Sequence, residues 1–371
     1  MDHVAIDLGG RESQICVRSG DGVVLEERRL PTRKLGEYLA KRASCRVIVE
    51  TCAEAFAVAD QALAAGHEVR VVPATLARAL GVGANKQKTD RRDAQVLSEV
   101  SSRVNLQSVH IPSREARDAK TVCGMREALV GARTQLINTV RGWVRGLVGM
   151  QIKKGSSATF GRRVREAASV AKVTLPACVE RQLRSIEQLN CEVAQADEEV
   201  EALGRNEPRC QRLQTVPGVG PVTSVRFVAA LDQLGRFPSA HKVEAYLGLV
   251  PGQKSSSDRV RHTSITKAGP SAVRRVLVQA CWSMRNSRPN DPLVRWSLEV
   301  EKRRGKGAAV VAMARKLAGI LFAMLRDETT YQPDRTSTLG SAVLEHEAQQ
   351  ARDKREAALA MLRSKGTVRT A

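Results

Sequence analysis

The sequence predicts a mixed α/β layer domain at the N-terminus, a helical coiled-coil middle region and a mainly α C-terminal domain. Three observations predict it. Short β-branched runs punctuated by glycine continue as far as Pro73, the strand signal disappears from about residue 113, and strongly patterned apolar stretches resume at "LQTVPGVGPVTSVRFVAAL".

Residues 3–8 (HVAIDL), 13–18 (SQICVR) and 21–27 (DGVVLEE) are punctuated by Gly9, Gly10, Gly20 and Gly22, the pattern of a three-strand meander. "LGEYLAKRA" then has helical spacing, "CRVIVE" reads as a buried strand, "EAFAVADQALAAG" as a helix closed by Gly66, and "EVRVVP" as a strand stopped by Pro73. The order βββαβαβ followed by helices indicates an α/β layer fold, and the ribonuclease-H-like fold begins in this order. Further on, "REALVGARTQLINTVRGWVRGLV" and "IEQLNCEVAQADEEVEALGR" carry amphipathic patterns that predict long helices in an antiparallel coiled coil. The expected divisions are 1–112, 113–205, 206–330 and a charged helical tail, 331–371.

Among 371 residues, 60 Lys and Arg oppose 39 Asp and Glu, and the net charge of +21 makes a polyanion the expected partner, nucleic acid first. Aromatic residues make up 3%, too few for a base-stacking platform, so charge must hold phosphates. From Arg141 to Arg184 ten cations face Glu166 and Glu180, which predicts a basic helical arm that includes Lys153, Lys154, Arg162 and Arg163. No apolar run is expected to reach the roughly 20 residues of a membrane span, and "MDHVAIDLGG" lacks the zones of a signal peptide, so a cytoplasmic protein is expected. Eight scattered cysteines without zinc spacing read as reduced packing residues.

"KQKTDRRDAQVL" (86–97) sets Asp90 and Asp93 three residues apart, on one face if the segment is helical. Alone, such a pair reads as a solvated helix start. Asp7 in "VAIDLGG" and Glu50 in "VIVETC" each follow an apolar strand, and if those strands are neighbours the four carboxylates can meet. Clustered carboxylates need a counter-charge, for which Mg²⁺ is the natural choice, and such a site suits phosphodiester chemistry. Lys86, Lys88, Arg91 and Arg92 would then hold phosphates.

"GLVPGQKSSSDRVRHTSITKAGPSAVRRVLVQA" (248–280) places Ser255, Ser256 and Ser257 in a polar loop, followed by Arg259, Arg261, His262 and Lys267 before a helix with Arg274 and Arg275. A serine run alone reads as linker, but the patterned flanks present this loop from a folded domain, where a hydroxyl could attack phosphorus. In "TVPGVGPVTS" (215–224), Gly218 and Gly220 allow a tight turn whose backbone N–H groups could meet a phosphate; a simple helix–helix connection fits as well.

In this order, Asp7, "VIVETC", "VVP" (71–73), "KTDRRDA" (88–94), "VPGVGPVTS", "AYLGLVP", the serine loop and "ITKAGPSAVRRVL" resemble the DEDD transposases of insertion sequences and the related Piv-type DNA invertases, some of them guided by a bridge RNA. The resemblance extends to about residue 330. It implies a RuvC-like domain in which Asp7, Glu50, Asp90 and Asp93 bind Mg²⁺, or Mn²⁺, and a serine nucleophile at Ser256. Ser257 stands where the family usually has glycine, which leaves Ser255 and Ser257 open, and "DLGG" replaces the small residue and lysine that commonly follow the first Asp. The resemblance also implies donor and target DNA, a guide RNA pairing with both, and a homo-oligomer, dimer or tetramer, in which two protomers complete each site. The rival readings are a metal-only junction-resolving nuclease and a non-enzymatic nucleic-acid-binding remnant.

Overall fold

β1 (His3–Asp7), β2 (Glu12–Arg18) and β3 (Val24–Pro31) form the expected meander, and β4 (Arg46–Glu50) and β5 (Glu68–Val72) follow α1 (Leu35–Ala40) and α2 (Ala55–Ala64). This computed structural model describes residues 1–80, 89–147, 150–256 and 259–333, with the backbone alone over 254–262. The sheet order is β3-β2-β1-β4-β5; β2 is antiparallel to both neighbours, and β4 and β5 continue parallel to β1. β3 starts later than its sequence pattern suggests because Gly22, at φ +90, belongs to the turn, and it extends to Pro31 opposite Glu12. Side chains alternate along the strands. Val4, Ile6, Val47 and Val49 pack with α1 and α2, while Ala5, Ile48 and Val72 pack with Ala77 of α3 (Ala74–Ala79) and Leu97 of α4 (Asp90–Arg103). The sheet of this unit, Met1–Ser113, thus lies between two helical layers.

The second unit begins at Arg114. Its long helices α5 (Arg114–Arg145) and α7 (Ala177–Asn206) pack along each other with α6 (Phe160–Val170), around Ile137, Val140, Phe160, Leu183 and Ile186. A larger core joins α8 (Pro208–Leu213), α9 (Pro221–Leu231), α10 (Ala240–Tyr246), α11 (Ser271–Ser287), α12 (Pro292–Arg304) and α13 (Lys306–Arg326). α13 corrects one expectation. An 18-residue window in it has a mean hydropathy of 1.8, long and apolar enough to cross a membrane by composition, but 61% of that window is buried, with Met313, Leu317 and Leu321 inside the core.

The serine segment is a second correction, since the expected polar loop is largely a hairpin. β6 (Pro251–Ser256) pairs antiparallel with β7 (Arg259–Ile265), Ser255 opposite Val260 and Ser256 opposite Arg259. Five cysteines (Cys16, Cys45, Cys123, Cys210 and Cys281) are buried as packing residues, but Cys52, Cys178 and Cys191 are exposed.

Candidate acid site and candidate nucleic-acid contacts

Asp7 and Glu50 end adjacent parallel strands, one position beyond the Ile6–Val49 pairing. Alternation puts both on the face that carries Ala5 and Ile48, the face covered by α4. The register of α4 against that face is fixed by contacts. Ser101 meets His3 Nδ1 at 2.8 Å at the start of β1, and Ser98 meets Cys16 Sγ, on the residue paired with Ala5, at 3.2 Å. Burial holds the His3 imidazole below its ordinary pKa, suiting a neutral partner for a hydroxyl.

From Ser101 back to Asp93 the helix rises by roughly 12 Å. From His3 to Asp7 the strand advances by roughly 13 Å. Asp93 therefore comes level with Asp7, and Asp90 lies about one turn further out. The buried stripe Ala94, Leu97, Ser98 and Ser101 extends to Asp93, which is 2% exposed, while Asp90 is exposed. Asp7, Glu50 and Asp93 thus share one end of the sheet and one face, with Asp90 exposed at the outer end of α4.

Among the described residues, no three His, Cys, Asp or Glu side chains converge closely enough to hold a metal ion. The donors nevertheless suit a hard divalent cation: they are carboxylates, and Asp93 is buried.

Local chemistry explains why α4 starts here. Thr89 is its N-cap, accepting from Arg92 N at 3.3 Å, so the threonine of "KTDRRDA" closes the helix end and sets both aspartates in the first turn, where the helix dipole favours negative charge. That role of Thr89 was readable from the S/T-before-helix signal. Arg91 is tied to Glu27, which Gln95 also holds; the Gln95 hydrogen bond first, then the Arg91 guanidinium, keep the Glu27 carboxyl below its ordinary pKa. Arg92 is exposed. Lys86 and Lys88 lie outside the described residues.

In the helical arm, Lys153, Lys154 and Arg162 are exposed, the last 3.4 Å from Glu166. Arg163 has a different post. It is 8% exposed, donates to Lys153 O, to Ser156 O at 2.6 Å and to Thr159 Oγ1 at 3.2 Å, and lies against the Phe160 ring. The expected phosphate ligand is a brace, because an interior guanidinium must use its donors internally. Arg165 is likewise held by Glu180 and Glu187, an acid beyond the stretch counted in sequence.

Gly218, at φ +84, packs so closely on α11 that a Cβ would stand 2.5 Å from Ala280 O. Gly220 caps α9 ahead of Pro221 and has open space around it. The "AYLGLVP" and "ITKAGP" segments interlock: added Cβ atoms on Gly248 and Gly269 would lie 2.0 Å from Ala268 O and Tyr246 O respectively. Arg274 completes this junction, donating to Leu247 O at 2.9 Å, Gly269 O at 3.0 Å and Ala268 O at 3.1 Å. Arg275 pairs with Glu127, and Lys267 is exposed. The junction anchors the hairpin that carries Ser255 and Ser256. Ser257 and the side chains of Arg259, Arg261 and His262 lie outside the described residues.

Comparison with known proteins bears on both parts of this arrangement. Residues 4–148 match a DEDD family of the IS110 type described as "Transposase", and residues 210–294 match the "Transposase IS116/IS110/IS902 family". A "Probable family 20 transposase" of Pseudomonas aeruginosa is 27% identical over 90% of this chain and 99% of its own length. The "Transposase for insertion sequence element IS1111A" of Coxiella burnetii is 28% identical over 89% of this chain and 91% of its own, and that for IS1328 of Yersinia enterocolitica is 25% identical over 88% and 98%. The first match spans the acid-bearing sheet and the second starts within α8 and runs past the serine hairpin and α11, so the chain belongs to the IS110/IS116/IS902 family of insertion-sequence transposases, enzymes that act on DNA.

Proposed function

We propose that this transposase cuts and rejoins DNA with a divalent metal held by Asp7, Glu50, Asp90 and Asp93 and with Ser256 as nucleophile. The observation that carries the reading is the placement of two carboxylates at the ends of β1 and β4 and two in the first turn of α4, at the same end of the sheet. The strand order 3-2-1-4-5 with a single antiparallel strand supports a ribonuclease-H-like, RuvC-like domain. Bound there, Mg²⁺ or Mn²⁺ would stabilise charge developing on phosphate oxygens. Asp93, buried, would fix the geometry, and exposed Asp90 would adjust to the substrate. The Ser256 hydroxyl gives up its proton, its oxygen forms a bond to phosphorus, one bridging P–O bond of the DNA breaks, and the freed oxygen takes a proton. Ser256 is kept as the candidate as the last residue of β6, in a hairpin whose base is anchored.

A guide RNA fits a chain of net charge +21 with 3% aromatics, in which base pairing would read sequence while protein cations hold backbones. An oligomer is supported by α5, whose exposed positions Gly124, Ala128, Gly131, Gln135, Asn138 and Gly142 recur at four- and three-residue steps without a charge. Such an assembly would let two chains complete one site. We keep 113–205 as a helical arm and 206–330 as the serine-bearing domain.

The test uses a suicide DNA substrate on denaturing gels. Wild type should form a protein–DNA adduct that survives boiling, absent in Ser256→Ala, and Asp7→Asn should lose strand exchange while binding DNA. An adduct persisting in Ser256→Ala moves the role to Ser255 or Ser257; activity without any adduct favours a water-using junction nuclease. Mixing the Ser256→Ala and Asp7→Asn chains should restore part of the activity if two chains build the site.

A further inference from the structure

The acid end of the sheet carries a second feature, made from two turns that are distant in sequence. The β1–β2 turn contains Gly9, Gly10 and Arg11, and the turn after β3 contains Thr32, Arg33 and Lys34. They are locked together. Thr32 N donates to Arg11 O at 2.9 Å, the Thr32 hydroxyl donates to Gly9 O at 2.6 Å, and the Ser13 hydroxyl, on a residue 1% exposed, lies 2.8 Å from it. Gly9 N donates to the same Ser13 oxygen at 3.4 Å, and a Cβ on Gly9 would stand 2.4 Å from Glu12 O, so the turn closes this tightly only with glycine. The platform lies just past Asp7, because Asp7 pairs with Gln14 and Glu12 with Pro31.

Arg11, Arg33 and Lys34 are all exposed, and none takes part in an ion pair among the described residues. Neighbouring cations differ: Arg29 is paired with Glu12 at 3.1 Å, and Arg91 with Glu27. Two further acids stand near, Glu37 on α1 and Glu54, whose Oε1 would lie 3.7 Å from a Cβ on Gly10. Three uncommitted cations on a rigid mount beside four carboxylates answer a physical need, since a DNA strand brought to those acids would be repelled unless its phosphates were held alongside.

We propose that Arg11, Arg33 and Lys34 form a phosphate clamp for the DNA strand that reaches the acid site. The inference rests on the reading of the acids given above. Its test compares two double variants of the full chain, each removing two charges: Arg11→Gln with Arg33→Gln on the platform, and Lys41→Gln with Arg103→Gln at the far ends of α1 and α4. Binding of a labelled duplex of about 30 base pairs is followed as salt rises. The platform double should flatten the log–log salt slope by roughly 0.9 for each phosphate no longer held, about 1.8 in all, and the far double should leave it at the wild-type value. Arg11→Lys with Arg33→Lys should keep the wild-type slope, which separates charge from misfolding. An unchanged slope in the platform double, or an equal change in both doubles, overturns the clamp. A flattened slope with single-stranded RNA but not with duplex DNA overturns DNA as its occupant. The clamp and the acid reading fail separately: Asp7→Asn that still exchanges strands sinks the acids whatever the slope does, and a wild-type slope in the platform double sinks the clamp whatever Asp7→Asn does.

Discussion

In the sheet unit, Arg11, Arg33 and Lys34 stand exposed on turns beside a row of acids, whereas in the helical unit Arg163, Arg226, Arg274 and Arg285 use their guanidinium groups to tie helices and turns together. Arg226, 9% exposed, bonds Cys123 O at 2.6 Å and Glu127 at 2.7 Å, and Glu127 also receives Arg275 from α11. The difference follows from architecture. A sheet leaves its polar residues at strand ends, where turns face solvent, while long packed helices bury parts of every side they present, so a cation on an inner side must find carbonyls or carboxylates. Arginine suits that duty because its planar fork serves several acceptors at once. A cation's availability for DNA is therefore decided by its neighbours in space.

The largest effect that could break this contrast comes from Arg163. Arg163→Ala should destabilise the second unit by about 2–4 kcal/mol in chemical denaturation, because it strands the carbonyls of Lys153 and Ser156 and removes packing on Phe160. Lys153→Ala with Lys154→Ala should change stability by less than about 0.5 kcal/mol. That pair should instead flatten the DNA salt slope by roughly 1.4–1.8 if both lysines touch phosphates. A stable Arg163→Ala chain with weakened DNA binding would erase the distinction between brace and phosphate ligand.

The two glycines of "VPGVGP" sharpen the same point. Gly218→Ala combines φ +84 with a Cβ 2.5 Å from Ala280 O, a backbone atom that cannot swing away, and should cost about 2 kcal/mol or more. Gly220→Ala, at φ −97 and in open space, should cost less than about 1 kcal/mol. Thermal unfolding of the two variants should separate them. Equal losses would mean that the turn is not held by its packing on α11.

The first unit was legible because its signals are local and agree. β-branched runs gave the strands, Gly66 and Pro73 their boundaries, and parallel pairing of β1 and β4 then sets Asp7 and Glu50 at neighbouring strand ends, whereas the spacing of Asp90 and Asp93 did not tell that one would be exposed and the other buried. What sequence hid was non-local. Nothing near Arg163 announces that the carbonyls of Lys153 and Ser156 will take its donors, and the Thr32 contacts that join two turns link residues with no shared pattern. The serine run misled for a related reason: three small polar residues carry little strand propensity, and the β6–β7 pairing supplies the strand by register with Arg259–Ile265. α13 was overlooked as a long apolar run, and its hydropathy is that of a core helix packed on several sides.

The smallest expected effect tests whether the sheet unit also contains braces. Glu27 on β3 holds Arg91 and Gln95 of α4, and the Gln95 hydrogen bond, then Arg91, lower its pKa from the ordinary 4.5. A carboxylate with a depressed folded pKa stabilises the fold while ionised, so its contribution is full above the unfolded value and is lost as pH falls through the folded one. Glu27→Gln should therefore lower the stability of the first unit by about 0.5–1 kcal/mol at pH 7, the modest value of a partly exposed pair. The gap to wild type should close progressively below pH 4.5. Arg163→Ala should keep its full effect over the same range, because its acceptors are carbonyl and hydroxyl oxygens that do not titrate. A Glu27→Gln gap that persists at low pH would mean that Glu27 holds α4 through packing, and Asp90 and Asp93 would then owe their placement to the apolar stripe of the helix and not to charge.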